Sequence, residues 1–363
     1  MTGKQNIRDF AFGMSKHVDY IIVGAGLAGT QLSRELLQRG RSVMVFDYPS
    51  PSSSSRVAGG LMNPLTGKRL AWDNDFDAKF TLALSAYSDV PEALRALPLL
   101  RILSEPIEQS SWLKKQEYFS SSSPVRRVDF SLGANLLDVP PEVASHPTLE
   151  VPRAGVLDTT RVVEQRLSDL EHTGMLVRKK ISLNGWDASS HSIEGVRAEH
   201  IVFCEGWNRS AHPLFAPILM MCARGQLMTV RIEECSSLPY ILVHQGRFLI
   251  PLGNHFFRYG ATYEWNDVHE EVDDSTTDYL CDLLSQTIRH SFSIHEVRAG
   301  VRPIAKDLQP VVGSFPKFPH LSILNGLGSK GALLAPLLVP LLVNHIENGT
   351  AIPEHQSVQR WYE

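Results

Sequence analysis

Long uninterrupted apolar runs are missing from this chain. The most apolar stretch, Ala332 to Val343, is cut by Pro336 and Pro340. A bilayer-spanning helix needs about 20 consecutive apolar residues, so no membrane span is expected. Cysteine is scarce as well. Cys204, Cys222, Cys235 and Cys281 are the only four, and they lack the paired spacing of a metal-ligand set. A reduced, cytoplasmic protein with no metal site is the expectation. Charge is modest, at 20% of residues with a formal net charge of −4. That balance supplies no global field attractive to nucleic acid, and no nucleic-acid partner is expected. Residues 1–16 are polar and lack the apolar core of a secretory signal. They read as a disordered extension, with Met14 an alternative start. No internal repeat is visible.

What is present begins at Asp19. The apolar run Tyr20–Val23 reads as a buried parallel strand, and Gly24, Gly26 and Gly29 complete a G-x-G-x-x-G turn around Leu27 and Ala28. Leu32, Leu36 and Leu37 then mark one face of a helix that Gly40 ends. A second apolar run, Val43–Phe46, delivers Asp47, 23 residues after Gly24. Gly24 permits a tight turn, Gly26 admits the backbone to a pyrophosphate, and Gly29 allows close helix–strand packing. The helix N-terminus offers unpaired N–H groups to phosphate, and Asp47 can accept from ribose hydroxyls. Strand, turn, helix, strand and acid in this order predict an adenine-dinucleotide site.

Further along, Pro49–Arg56 reads as a solvated serine loop, followed by the paired glycines of Ala58-Gly59-Gly60, which suit backbone held close to a flat or charged group. Residues 75–103 read mainly as helix, with Phe76, Phe80, Leu84 and Tyr87 as a core stripe. A helix is expected over 160–170, capped by Thr159 or Thr160. His200 to Gly206 reads as a returning parallel strand, which implies a discontinuous cofactor domain. Apolar runs between Gly225 and Glu264, separated by Gln245-Gly246 and Gly253-Asn254, predict an antiparallel meander, and 274–290 a helix. At 363 residues two joined domains are expected.

These pieces, together with Gly225-Gln226, Gly260-Ala261-Thr262, Gly300-Val301-Arg302-Pro303, Asp307, Pro310, Gly313 and Asn325-Gly326-Leu327-Gly328-Ser329-Lys330-Gly331, resemble the FAD-dependent oxidoreductases of the D-amino-acid oxidase, glycine oxidase and sarcosine oxidase superfamily. The branch resembled most is the FAD domain of the bacterial bifunctional enzyme that modifies tRNA wobble uridines. The resemblance implies an α/β fold: a Rossmann-like, glutathione-reductase-type FAD-binding domain (17–65, 151–215 and 296–363) with an inserted α+β substrate domain on an antiparallel sheet (66–150 and 216–295).

The resemblance also implies non-covalent FAD, held by Gly24, Gly26, Leu27, Ala28, Gly29, Asp47, Ala58, Gly59, Gly60, Gly206, Gly326, Gly328, Ser329, Lys330 and Gly331. Arg302 would bind a substrate carboxylate as a planar donor fork, and Lys330 would serve the flavin or the substrate. A helix starting near Gly331 would turn its positive end toward the flavin. Phe248 stands roughly where several amino-acid oxidases carry a substrate-contacting tyrosine. His244, His255, Tyr259 and Tyr263 are further candidates for the pocket wall.

The expected activity is FAD-dependent oxidation of the C–N bond of a small carboxylate-bearing amine, an amino acid or N-substituted amino acid, by hydride transfer to flavin N5. The alternatives are oxidation of a modified tRNA nucleoside or a 2-hydroxy acid, or a catalytically silent flavin-binding subunit. The expected partner is a small-molecule substrate, and a homo- or hetero-oligomer fits the same reading.

Overall fold

A computed structural model describes residues 17–48, 50, 52–122, 124–128, 137–207, 211–266 and 268–362. The N-terminal extension read from the sequence lies outside them. Two sheets organise the chain. The buried run at Tyr20–Val23 forms the centre of a seven-stranded sheet, ordered Val311–Phe315, Phe318–Asn325, Val196–Phe203, His17–Val23, Val43–Asp47 and Leu176–Arg178, with Ser192–Ile193 on the side. Its central pairings are parallel: Ile21 sits opposite Ile201 on one neighbour and Met44 on the other. Both faces are covered, so the strands are apolar throughout rather than alternating.

One face of this sheet carries the helices Leu27–Gln38, Thr159–His172 and Gly331–Asn348. They share a core that includes Leu32, Val45, Val163 and Leu338. Phe76, Phe80 and Tyr87 are buried in the same core, whereas Leu84 is exposed. The helix they stripe ends at Ala86, not near residue 103. Leu94–Ile102 is instead a strand, because each of its leucines finds a sheet neighbour. Pro106–Ser122 is a further helix. The helix Thr159–His172 is capped by Asp158, whose carboxylate accepts from Arg161 N at 3.1 Å, and not by a threonine.

The C-terminal helix runs straight through Pro336 and Pro340, correcting the view that the prolines divide this stretch. Proline at 336 cannot donate to the carbonyl of Ala332. The buried Tyr87 hydroxyl donates to that oxygen instead, at 3.0 Å. Among the described residues this is the one helix long and apolar enough to cross a membrane. Here its apolar side is packed on the core just described, with Leu338, Val339, Leu342 and Val343 fully buried.

The second sheet has nine strands, ordered Ser293–Arg302, Ala223–Arg231, Phe256–Gly260, Arg247–Gly253, Ile241–His244, Leu94–Ile102, Thr148–Leu157 and Leu61–Met62, with Arg126–Val128 against Thr148–Leu157. All its pairings are antiparallel except Ile241–His244 with Leu94–Ile102. The meander is therefore present. The strands Thr148–Leu157 and Ser293–Arg302 also belong to this sheet, although the sequence reading put most of each with the cofactor-binding segments. Their long antiparallel registers with Leu94–Ile102 and Ala223–Arg231 decide it.

His244, a candidate for the pocket wall, is buried at the end of its strand. Its Nδ1 meets Thr287 Oγ1 at 2.9 Å, and Nε2 has no hydrogen-bond partner among the described residues. Burial pulls its pKa down from 6.5 to about 4. The unfolded imidazole takes up a proton below pH 6.5 that the folded one refuses until about pH 4. Stability is therefore whole above pH 6.5 and falls as the pH drops through this window. We expect a loss of about 2 kcal/mol between pH 7 and pH 5 from this group. Urea midpoints of the wild type and His244→Gln at both pH values check it, since the variant should lose this part of the acid dependence.

Candidate active site

The carboxyl ends of His17–Val23 and Val43–Asp47 open onto a cavity of about 820 Å³, the place where open parallel sheets bind ligands. Gly24 makes the turn there with φ of +94°, and a Cβ on it would lie 2.5 Å from the Cys204 carbonyl oxygen. Gly29 lies against the same turn: its Cβ would fall 1.9 Å from Gly24 O. Gly24, Gly26, Leu27 and Ala28 line the cavity, while Gly29 stands behind them as a packing residue. Asp47 lines it too, with Oδ1 accepting from Ala25 N at 2.8 Å. The carboxylate therefore braces the turn, whatever else it meets.

The serine loop is more than a solvated connection. Ser54–Val57 form a helical turn, and Ser55 Oγ accepts from Leu27 N at 2.9 Å. Ser53 and Thr159 line the cavity, and their buried Oγ and Oγ1 have no hydrogen-bond partner among the described residues. Burying a hydroxyl unpaired is costly, so polar groups that line a cavity in this way suit a polar ligand. With the glycine cradle and the open-ended strands, they fit a dinucleotide. Sequence reasoning missed these serines because a polar, proline-flanked run looks like surface.

Ala58, Gly59 and Gly60 line the cavity further along. A Cβ on Gly59 would strike the Phe248 ring at 2.4 Å, and one on Gly60 the Leu157 carbonyl at 1.9 Å. Phe248 also lines the cavity. Gly206, Gly328, Ser329 and Gly331 line the cavity as well, with the C-terminal helix beginning at Gly331. Gly326 is buried beside Val311 and does not line the cavity. Lys330 caps that helix with an exposed side chain outside the cavity lining. The structure therefore does not bring Lys330 among the residues that line the site.

Arg302 lines the cavity as well. It is the last residue of its strand, and Nη1 donates to the Arg224 carbonyl at 3.2 Å. Its guanidinium fills the volume that a side chain on Gly225 would take, with Nη1 2.2 Å from the ideal Cβ position. The Tyr263 ring covers it, with Cζ 4.4 Å from the ring centroid. Desolvation pulls the Arg302 pKa down, as expected of a cation withdrawn from water. Burial raises the pKa of Tyr263, opposed by Arg302 and by a hydrogen bond with the Ser329 side chain. Behind this layer, Arg224 pairs with Glu264 at 2.5 Å and meets Gln226 Oε1 at 3.1 Å. Gln226 reaches Thr277 Oγ1 at 2.7 Å. This buried network fixes the strand from which Arg302 is held. Of the other wall candidates, Tyr259 is buried in the core of the second sheet, and His255 does not line the cavity.

Comparison with known proteins agrees with this geometry. The family model described as FAD dependent oxidoreductase matches residues 19–342. The tRNA 5-methylaminomethyl-2-thiouridine biosynthesis bifunctional protein of Hahella chejuensis is 24% identical over 95% of this chain. The match covers 59% of that protein, so this chain spans little more than half its length. The glycine oxidase of Pseudomonas aeruginosa is 22% identical, over 91% of this chain and 94% of its own. Among solved structures, glycine oxidase from Geobacillus kaustophilus superposes with a TM-score of 0.76 at 17% identity, covering 93% of this chain and 96% of that one. At that identity the likeness establishes the fold.

Proposed function

The chain belongs to the FAD-dependent oxidoreductase family, and from that premise we propose that it oxidises the C–N bond of a small amine bearing a carboxylate, an amino acid or an N-substituted amino acid. One observation carries this reading: the Arg302 guanidinium lines the cavity with no carboxylate of the described residues bonded to it, and its Nη1 donates to a backbone carbonyl. A planar fork of donors in a desolvated wall matches a carboxylate in two-point fashion. The glycine oxidase of Pseudomonas aeruginosa supports the same class by its name.

When bound, FAD supplies the two-electron acceptor. Gly24, Gly26 and the amides at the start of the following helix suit its pyrophosphate, with Ser53 and Thr159 hydroxyls in the same cavity. We take the cofactor to be held non-covalently. Cys204 is a cysteine on the cavity wall, and burial raises its thiol pKa far above the ordinary range, which leaves it a poor nucleophile. The residues' work is then positional. Arg302 anchors the carboxylate, and Phe248 and Leu227 wall the space beside it. The amine must be neutral for its α-hydrogen to leave as hydride, and an apolar wall favours that form. Fixed orientation of this kind is worth several kcal/mol of barrier.

A second reading has one specific support, the tRNA-modifying relative: the same bond is cut in a nucleoside within tRNA. One experiment separates them. Purified holoprotein is mixed anaerobically with glycine, sarcosine, other amino acids and 2-hydroxy acids while the flavin absorbance is followed. Bleaching by a carboxylate-bearing amine is the expected result. Bleaching by 2-hydroxy acids alone overturns the proposal, and bleaching only by bulk tRNA that carries its modified nucleosides favours the second reading.

A further inference from the structure

Beside Arg302, outside the residues that line the cavity, stands an aromatic pair that the proposed reaction does not use. Tyr263 and Trp265 are 43% and 42% exposed, and their ring centroids lie 5.1 Å apart. Their placement follows from register. Arg224 bridges Glu264, and Ala223 pairs with Arg302. Tyr263 is therefore opposite Gly225 and Trp265 opposite Ala223, on the sheet face that carries the Arg302 guanidinium, since side chains alternate along a strand. Met221 continues that face: its N–H donates to Ile304 O at 2.6 Å in the same register, and its side chain is 42% exposed. The opposite face of these strands buries Arg224 and Gln226. Tyr263 also meets two residues of the cavity lining, Arg302 and Ser329.

Three large, soft side chains, two of them aromatic, thus lead outward from the arginine. We propose that they form a stacking subsite for a planar ring carried by the substrate, on its amine or its α-carbon, while its carboxylate is held by Arg302. This rests on the reading of Arg302 given above and deepens it, naming an aryl-bearing amino acid as the substrate class. One face of Tyr263 is taken by the guanidinium, so Trp265 and the outer Tyr263 face receive the ring. Rings stack offset or edge-on against such faces, and methionine sulfur adds to the contact. A polar or small substituent would leave these side chains wet, which is why glycine itself is not the substrate we favour.

The test compares aryl and non-aryl ligands on the holoprotein. Acetate and phenylacetate, which cannot be oxidised at a C–N bond, are titrated against the flavin spectrum. N-benzylglycine, phenylalanine and sarcosine are compared as reductants. Phenylacetate is expected to bind more tightly than acetate, and Trp265→Ala to shrink that ratio about five- to tenfold, with Trp265→Phe retaining most of it. Because Trp265 is half exposed, neither variant threatens folding. A preference for N-benzylglycine over phenylalanine puts the ring on the amine, and the reverse puts it on the α-carbon. Equal binding of the two acids, or a ratio unchanged in Trp265→Ala, overturns the subsite while leaving the Arg302 reading intact. If neither acid perturbs the spectrum, both fall. A dimer whose dissociation exposes Trp265 would give the patch to a second copy of the chain and overturn the proposal equally.

Discussion

Replacing Arg302 by alanine should cut kcat/KM for a carboxylate-bearing amine about 100- to 1,000-fold, roughly 3–4 kcal/mol, while the protein stays yellow. Most of the loss should fall in KM, because the arginine holds a group that is charged in ground and transition state alike. The side chain leaves through open cavity volume, so folding should be little disturbed. Arg302→Lys restores the charge but not the fork, and should recover only part of the loss. Steady-state kinetics on the best reductant, with the flavin absorbance as a check on cofactor content, measures both. An Arg302→Ala enzyme with unaltered KM would remove the carboxylate from the substrate.

Gly24→Ala should strip the cofactor. Two penalties coincide at this residue. Its φ of +94° lies where an L side chain is strained, and the added methyl would sit 2.5 Å from the Cys204 carbonyl. The backbone strain alone is of order 1–3 kcal/mol. Relief requires the turn to part from the strand Val196–Phe203, which moves the amides of Ala25 and Leu27 away from Asp47 and Ser55. We expect purified Gly24→Ala to be nearly colourless and its melting temperature to fall by several degrees. Gel filtration with absorbance read at flavin and protein wavelengths tests it. A fully yellow variant of wild-type stability would mean that this turn does not hold the pyrophosphate.

How much of this was legible beforehand varies with the physics. The turn from Gly24 to Gly29 and the acid at Asp47 could be read directly, because the constraint is local: strand, glycine turn, helix and strand follow one another along the chain. The meander was legible through its turn residues. The strand Leu94–Ile102 was not, since its leucines suit a helix as well as a buried strand, and only pairing with Thr148–Leu157 and Ile241–His244 decides between them. Lys330 looked useful because it sits inside a glycine-rich loop, yet its side chain is exposed outside the cavity lining. Ser53 and Ser55 were overlooked for the converse reason. A serine run has no periodicity, and its importance comes from a fold that brings it 28 residues back, onto the amide of Leu27. In the sequence Tyr263 is one wall candidate among four, and only the register with Gly225 places it over Arg302.

The hollow at Gly225 has a bearing on how relatives of this chain are recognised. The guanidinium of Arg302 rests where a methyl group would otherwise be, so the arginine and the glycine form one piece of information written at two distant positions. A homologue that keeps the arginine but carries any larger residue opposite it must aim that side chain elsewhere. Sorting sequences by the pair, and not by the arginine alone, should divide those that share this carboxylate pocket from those that share only the scaffold.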